Sequence, residues 1–249
     1  MERKEAYIEF ENKKELPPNV RKVLEIAFLE YPEFKKISVQ TFSPRDDFDA
    51  GGYYEFIENE KGEPIAQICV SEGGANLLAP LLDIRKSSVA INAEMLGIDP
   101  SKMSPELLQI FIITHELGHI RDYQVNFSSD PNLEGWKAVD EMAYQRESVL
   151  TMLPIRNINP TDLARELAGV ENLQEVLDRF SEVKEYPRFE DIKSVDDVLF
   201  AQEREYRLSA PEAYADEFAV NFIKRHSSKL NISELFAEND NIRSYPLAA

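Results

Sequence analysis

With 249 residues, of which 43% are hydrophobic and 30% charged, the chain has the makeup of an ordinary folded protein and enough length to bury a large core. The 46 acidic residues outnumber 28 basic ones for a net charge of −18, which argues against nucleic acid or an anionic membrane surface as a partner. A single cysteine, Cys69, excludes a disulfide framework or a cysteine-rich metal site.

Cys69 lies in the apolar run Ile65-Ala66-Gln67-Ile68-Cys69-Val70 and reads as a buried structural thiol. The start, Met1-Glu2-Arg3-Lys4-Glu5, has no apolar core of a signal peptide. No stretch reaches the roughly 18 consecutive apolar residues of a membrane helix. The expectation is a soluble, cytoplasmic protein; its oligomeric state is not readable from these features.

Taken in order, Pro17-Pro18 opens a helix over 17–31, with Val20, Val23, Leu24, Ala27 and Phe28 at helical spacing. The period then changes to that of strands at 36–42, 53–57 and 65–70. Turn signals at Gly51-Gly52 and Lys61-Gly62-Glu63-Pro64 make these a small antiparallel meander. A further short strand is expected at 88–92, Ser-Val-Ala-Ile-Asn. Ser104 caps the next helix, Pro105 occupies its first turn, and an amphipathic, strongly apolar pattern runs to Asp122. Helices follow at 133–153, 161–168, 173–184, 195–208 and 211–226, with Trp136 and Tyr144 read as core, and a frayed tail at 238–249. The fold class is α+β in one domain: an N-terminal helix, sheet and motif helix over 1–125, a helical insertion over 126–204, a second ligand-bearing helix region over 205–237, and the tail.

The centre of this arrangement is His115-Glu116-Leu117-Gly118-His119. On a helix, His115 and His119 stand one turn apart on one face, where both imidazoles can reach one Zn²⁺ at about 2.0–2.1 Å. Glu116, the next residue round the helix, is placed to take a proton from water without binding the metal. This is the HExxH pattern of zinc peptidases.

A catalytic zinc needs a third protein ligand. Glu212 is the leading candidate, because Asp216 follows it at i+4 and shares its helix face. Glu212 would bind the metal and Asp216 would accept a hydrogen bond from the free ring nitrogen of a ligand histidine. Small Ala215 would let the two helices come close. Glu141, beside Ala143 on the 133–153 helix, is a rival third ligand. His226 is a weaker one, and reads better as a helix-end histidine that interacts with the helix dipole.

His115-Glu116-Leu117-Gly118-His119, together with Glu212-Ala213-Tyr214-Ala215-Asp216-Glu217-Phe218-Ala219, resembles the gluzincin group of zinc metallopeptidases, and within it the small intracellular ImmA/IrrE-type peptidases. The similarity covers about 36–125 and 205–227 and leaves out the insertion. It implies a zincin-like fold, a small mostly antiparallel sheet packed on the motif helix, and an edge strand, here near 88–92, holding an extended peptide or protein substrate. The expected reaction is peptide-bond hydrolysis by a metal-activated water, with Glu116 as general base and His115, His119 and Glu212 on Zn²⁺. Tyr214, Tyr206, Tyr144 and His226 are the candidate oxyanion donors. The insertion would form a wall or lid over the cleft. The alternative is a zincin-like binding or regulatory protein without catalysis.

Overall fold

The computed structural model describes residues 16–42, 51–72, 78, 79, 82, 85–128 and 133–236. Among them the chain is α+β and mostly helical, with eight α-helices and one three-stranded sheet. The expected 238–249 tail lies outside the described residues.

Helix α1, Pro18–Glu30, starts at the Pro17-Pro18 pair and buries Val20, Val23, Leu24, Ala27 and Phe28, the stripe its spacing predicts. Strands β1 (Ser38–Phe42), β2 (Gly52–Glu58) and β3 (Pro64–Ser71) form a sheet of order β1-β3-β2. The β2–β3 hairpin is antiparallel as expected, but β1 pairs with β3 in parallel, so the sheet is mixed and not a meander. Alternation in sequence reports that a segment is a strand; it carries no information on which neighbour the strand pairs with. Cys69 is buried and free, and burial pushes its thiol up to about 11.

The segment 88–92 is a second correction, because it lies inside helix α2, Lys86–Leu96. Its β-branched residues look strand-like in isolation. The helix buries Ser88, Val89, Ile91, Asn92, Ala93 and Leu96, positions that wrap much of its circumference and so blur the helical period. Gly97 ends it in the left-handed conformation, with φ of 72°, and donates its N–H back to Ala93 and Glu94.

Helix α3, Pro105–Asp122, carries the motif. Ser104 Oγ accepts from the Leu107 N–H at 3.2 Å, the cap the sequence predicts. The helix is more central than an amphipathic pattern suggests: Leu107, Phe111, Ile113, Leu117 and Ile120 are buried in the main core against α1, the sheet and a later helix, α8 (Ala210–His226). Between them run α4 (Trp136–Leu150), α5 (Pro160–Glu166), α6 (Leu173–Arg179) and α7 (Val195–Tyr206). Helices α5 to α7 surround a separate hydrophobic cluster that includes Ile155, Leu163, Val176, Val183 and Val198. Buried Gln202 ties α7 to this cluster, accepting from the Ile155 N–H at 2.9 Å and donating to the Ile155 and Ile158 carbonyls at 2.8 Å each. Trp136 and Tyr144 are not core residues; they are 41% and 69% exposed on the outer side of α4. None of the described helices is long and apolar enough to cross a membrane.

Candidate metal centre

Helices α3 and α8 cross where neither has room for a larger side chain. A Cβ on Gly118 would lie 2.7 Å from the Ala215 Cα and 2.9 Å from its carbonyl oxygen, so the crossing requires glycine on one side and a small residue on the other. This contact brings the histidine face of α3 against the Glu212/Asp216 face of α8. His115 Nε2 is 3.0 Å from His119 Nε2 and 3.2 Å from Glu212 Oε2, and His119 Nε2 is 3.6 Å from Glu212 Oε1. These three are the one group of histidine, cysteine and carboxylate side chains among the described residues arranged to hold a metal ion.

The arrangement fits zinc in size and chemistry. Tetrahedral arms of about 2.0 Å place ligand atoms about 3.3 Å apart, close to the edges of this triangle, and two imidazoles with one carboxylate leave the fourth position open. The electrostatics favour a cation. Burial opposes charge on Glu212, yet His119 and His115 hold its carboxyl well below the usual carboxylate range. Burial likewise opposes an imidazolium at His115, but the Asp216 and Glu212 carboxylates push its ring up to about 10.

Asp216 Oδ1 stands 2.8 Å from His115 Nδ1, the histidine–carboxylate contact that the i, i+4 spacing predicts. Behind it, Arg207 donates to Asp216 at 2.6 Å, to Glu203 at 2.7 Å and to Ser88 Oγ at 3.1 Å. Burial would raise the Asp216 carboxyl; Arg207 and His115 bring it below its ordinary value. Arg207 is thus a buried brace, and the one trace it leaves in the sequence is its i, i+4 spacing from Glu203.

The remaining candidates separate clearly. Glu141 is on α4, accepts a long hydrogen bond from Gln145 at 3.4 Å and is outside the triad. His226 sits at the end of α8, 2.5 Å from Glu30. Tyr214 receives a hydrogen bond from Arg121 at 2.6 Å and lines a different hollow, with Tyr31 and Arg225. Tyr144 is exposed. Of the four expected oxyanion donors only Tyr206 reaches the centre, donating to Glu212 Oε1 at 3.1 Å.

Two further residues complete the site. The edge strand over the motif helix is β2, not the 88–92 segment. Tyr54 donates its backbone N–H to Glu116 Oε2 at 3.2 Å and lays its ring on that of His119, with centroids 4.8 Å apart. From α4, Arg146 Nη2 comes within 3.0 Å of Glu212 Oε1 and 3.2 Å of His119 Nε2, with its guanidinium over the Tyr54 ring. A trace of Arg146 exists in the sequence: it follows Ala138 and Met142, the buried residues of α4, at the same four-residue step.

The triad opens into a cleft of about 570 Å³, walled by Gly52 and Tyr54 of β2, Ser88 and Asn92 of α2, and Leu150 and Pro160 of the 126–204 stretch. The 126–204 stretch therefore forms a wall of the cleft. Compared with protein-family profiles, curated proteins and solved structures, the chain matches none.

Proposed function

We propose that this protein is a zinc-dependent metallopeptidase with a zincin-like, gluzincin-type centre, in which His115, His119 and Glu212 hold the metal and Glu116 is the general base. The observation that carries the reading is the convergence of the three donor atoms within one zinc-sized triangle, with a carboxylate that is not a ligand fixed beside them by a strand N–H. Zinc bound there would act as a Lewis acid, lowering the pKa of water and polarising a carbonyl.

The chain's own groups supply the rest. Tyr54 holds one oxygen of Glu116 and leaves the other to take a proton from water and deliver it to the leaving amine. Asp216, braced by Arg207, fixes the His115 ring with Nε2 toward the triad. Tyr206 is the donor placed to stabilise negative charge on the substrate carbonyl oxygen. The edge of β2 offers main-chain partners to an extended peptide. Odd-numbered residues of β2 pair with β3, as the Ser71 N–H to Gly51 carbonyl bond shows, so Gly52 and the Tyr54 carbonyl face the open side.

The test is a comparison of wild type and Glu116→Gln. Both should bind zinc near one equivalent by metal analysis, and the variant should lose about 10²–10⁴-fold of its hydrolysis of an unbiased peptide mixture. Undiminished hydrolysis in Glu116→Gln would remove the base from the mechanism. Absence of zinc from both would remove the metal.

A further inference from the structure

Beyond the triad the cleft runs along the first half of α3, where Leu108, Phe111 and Ile112 line it together with Ser88, Val89 and Asn92 of α2. Phe111 stands one turn before His115, with ring centroids 6.3 Å apart, so this part of the cleft adjoins the bond that the triad would hold. The charged groups beside it already have partners. Arg207 donates to Glu203 at 2.7 Å and to Asp216 at 2.6 Å, and Arg85 lies 4.0 Å from Glu203. Ser88 Oγ accepts from Arg207 at 3.1 Å. Asn92 is different: it is 2% exposed, and its Oδ1 is buried with no hydrogen-bond partner. Of the buried side-chain atoms left unpaired among the described residues, only this one and His119 Nδ1 belong to residues that line the cleft. An acceptor that has given up water and gained nothing destabilises the fold, whereas a leucine of similar size would fill the wall without that cost.

Resting on the peptidase reading of the triad, we propose that Asn92 is a specificity-determining residue, which selects tyrosine over phenylalanine beside the bond to be cut. The walls define the side chain they receive. Its body is apolar, because Val89, Leu108, Phe111 and Ile112 have only carbon to offer. It is uncharged, because the neighbouring arginines and carboxylates are paired with one another and an ion would be buried without a counter-charge. Its tip forms hydrogen bonds, because the Asn92 amide is the group left to be satisfied. A half-turn about χ2 exchanges Oδ1 and Nδ2 without changing the shape of the side chain, so the amide can accept or donate at the same point. A phenolic hydroxyl is both donor and acceptor and is carried on an aromatic body, so it matches either end of the amide. Phenylalanine would fill the same space and leave the amide unpaired. A site built around a buried polar group discriminates in this way against an analogue that lacks the hydroxyl.

The experiment uses the full chain and its Asn92→Leu variant, which keeps the bulk of the side chain and removes the amide. Both proteins, supplied with zinc, are given an unbiased peptide mixture, and then matched peptides that differ only in tyrosine or phenylalanine beside the cleaved bond. In the wild type kcat/KM should favour the tyrosine peptide by about tenfold, the scale of one buried hydrogen bond made or left unmade. In Asn92→Leu the ratio should fall to about one through loss of tyrosine cleavage, with phenylalanine cleavage within about twofold of wild type. A second readout needs neither metal nor substrate. Asn92→Leu removes an unpaired buried acceptor, so its thermal midpoint should equal or exceed that of the wild type. A lowered midpoint would show that Asn92 serves the fold, and overturns the inference. The same tyrosine-to-phenylalanine ratio in both proteins, with peptides still cleaved, also overturns it and leaves the peptidase standing. Cleavage of no peptide by either protein takes down the peptidase reading and this inference together.

Discussion

Helices α3 and α8 meet backbone to backbone, with Gly118 against Ala215, and two of the three ligand candidates they carry are braced by a second group: His115 by Asp216, itself held by Arg207, and Glu212 by Tyr206. Helix α4, on the facing wall, reaches the same point with one long arginine, and the helices after it pack mainly on a hydrophobic cluster of their own. The first region sets the spacing of its donor atoms through a main-chain contact that leaves no room for a larger side chain. The second reaches the site through a side chain carried by a helix outside the main core. A metal centre needs the first kind of support for its ligands and the second for whatever must move when metal or substrate arrives.

The sharpest way to break this contrast is to exchange a carboxylate on each side. Glu212→Gln removes a donor from the rigid side and should weaken zinc beyond the roughly 10–100-fold that losing a ligand's hydrogen-bond partner costs. Glu141→Gln, on the α4 side, should leave zinc affinity within about twofold. Both are read by chelator competition. If Glu141→Gln were the damaging change, the ligand would belong to α4 and the contrast would be reversed.

Asp216→Asn comes next, with zinc weakened by about 10–100-fold while His115 and Glu212 remain in place. It also has a pH signature in the metal-free protein. The folded value for His115, pushed up to about 10 by Asp216 and Glu212 against the opposing effect of burial, exceeds its ordinary value of 6.5. A raised histidine contributes stability that is complete below about 6.5 and is lost as pH rises through the folded value. Thermal midpoints of the metal-free wild type should therefore fall between pH 7 and 10, and in Asp216→Asn the fall should be smaller and end at lower pH. Saturating zinc, which replaces the proton, should flatten both curves. Flat curves without zinc would mean that His115 is neutral in the metal-free centre.

Gly118→Ala tests the crossing itself. The added methyl meets the backbone of α8, which cannot turn aside as a flexible side chain would. Denaturant unfolding should show a loss of about 1–3 kcal/mol, and zinc should weaken by a few-fold as the two ligand-bearing faces separate. Unchanged stability would show that the helices can slide apart freely.

How much of this was legible in the residues follows from the range of the interactions. The motif helix, its Ser104 cap and the Glu212/Asp216 face are statements about neighbours within four positions, and the sequence carries them directly. The pairing of β1 with β3 and the helical state of 88–92 depend on what packs against them, so local pattern misread both. The least legible contacts are the Tyr54 N–H on Glu116, made by the main chain of an ordinary strand residue, and the Arg207 brace, whose i, i+4 pair with Glu203 gives no sign that it also reaches Asp216 on the next helix. Arg146 lies between these cases. Its place on the buried stripe of α4 is visible, but a helix of mostly polar residues gives no sign that the stripe faces the His115/His119/Glu212 group.

The smallest expected effect on the centre comes from the most damaging change to the other region. Leu163 is fully buried in the cluster formed by α5 to α7, so Leu163→Ala should cost about 2–5 kcal/mol wherever that cluster must be intact. The two regions nevertheless share a border: Leu150 and Pro160 wall the cleft, and Gln202 anchors α7, whose last residue is the Tyr206 that touches Glu212. If the ligands are positioned by α3 and α8 alone, zinc affinity in Leu163→Ala should stay within about twofold of wild type, while hydrogen exchange rises across α5 to α7. Zinc that weakens in step with that exchange would mean that Tyr206 transmits the order of α5 to α7 to Glu212. In that case the facing wall would be a structural part of the metal centre and not a removable cover.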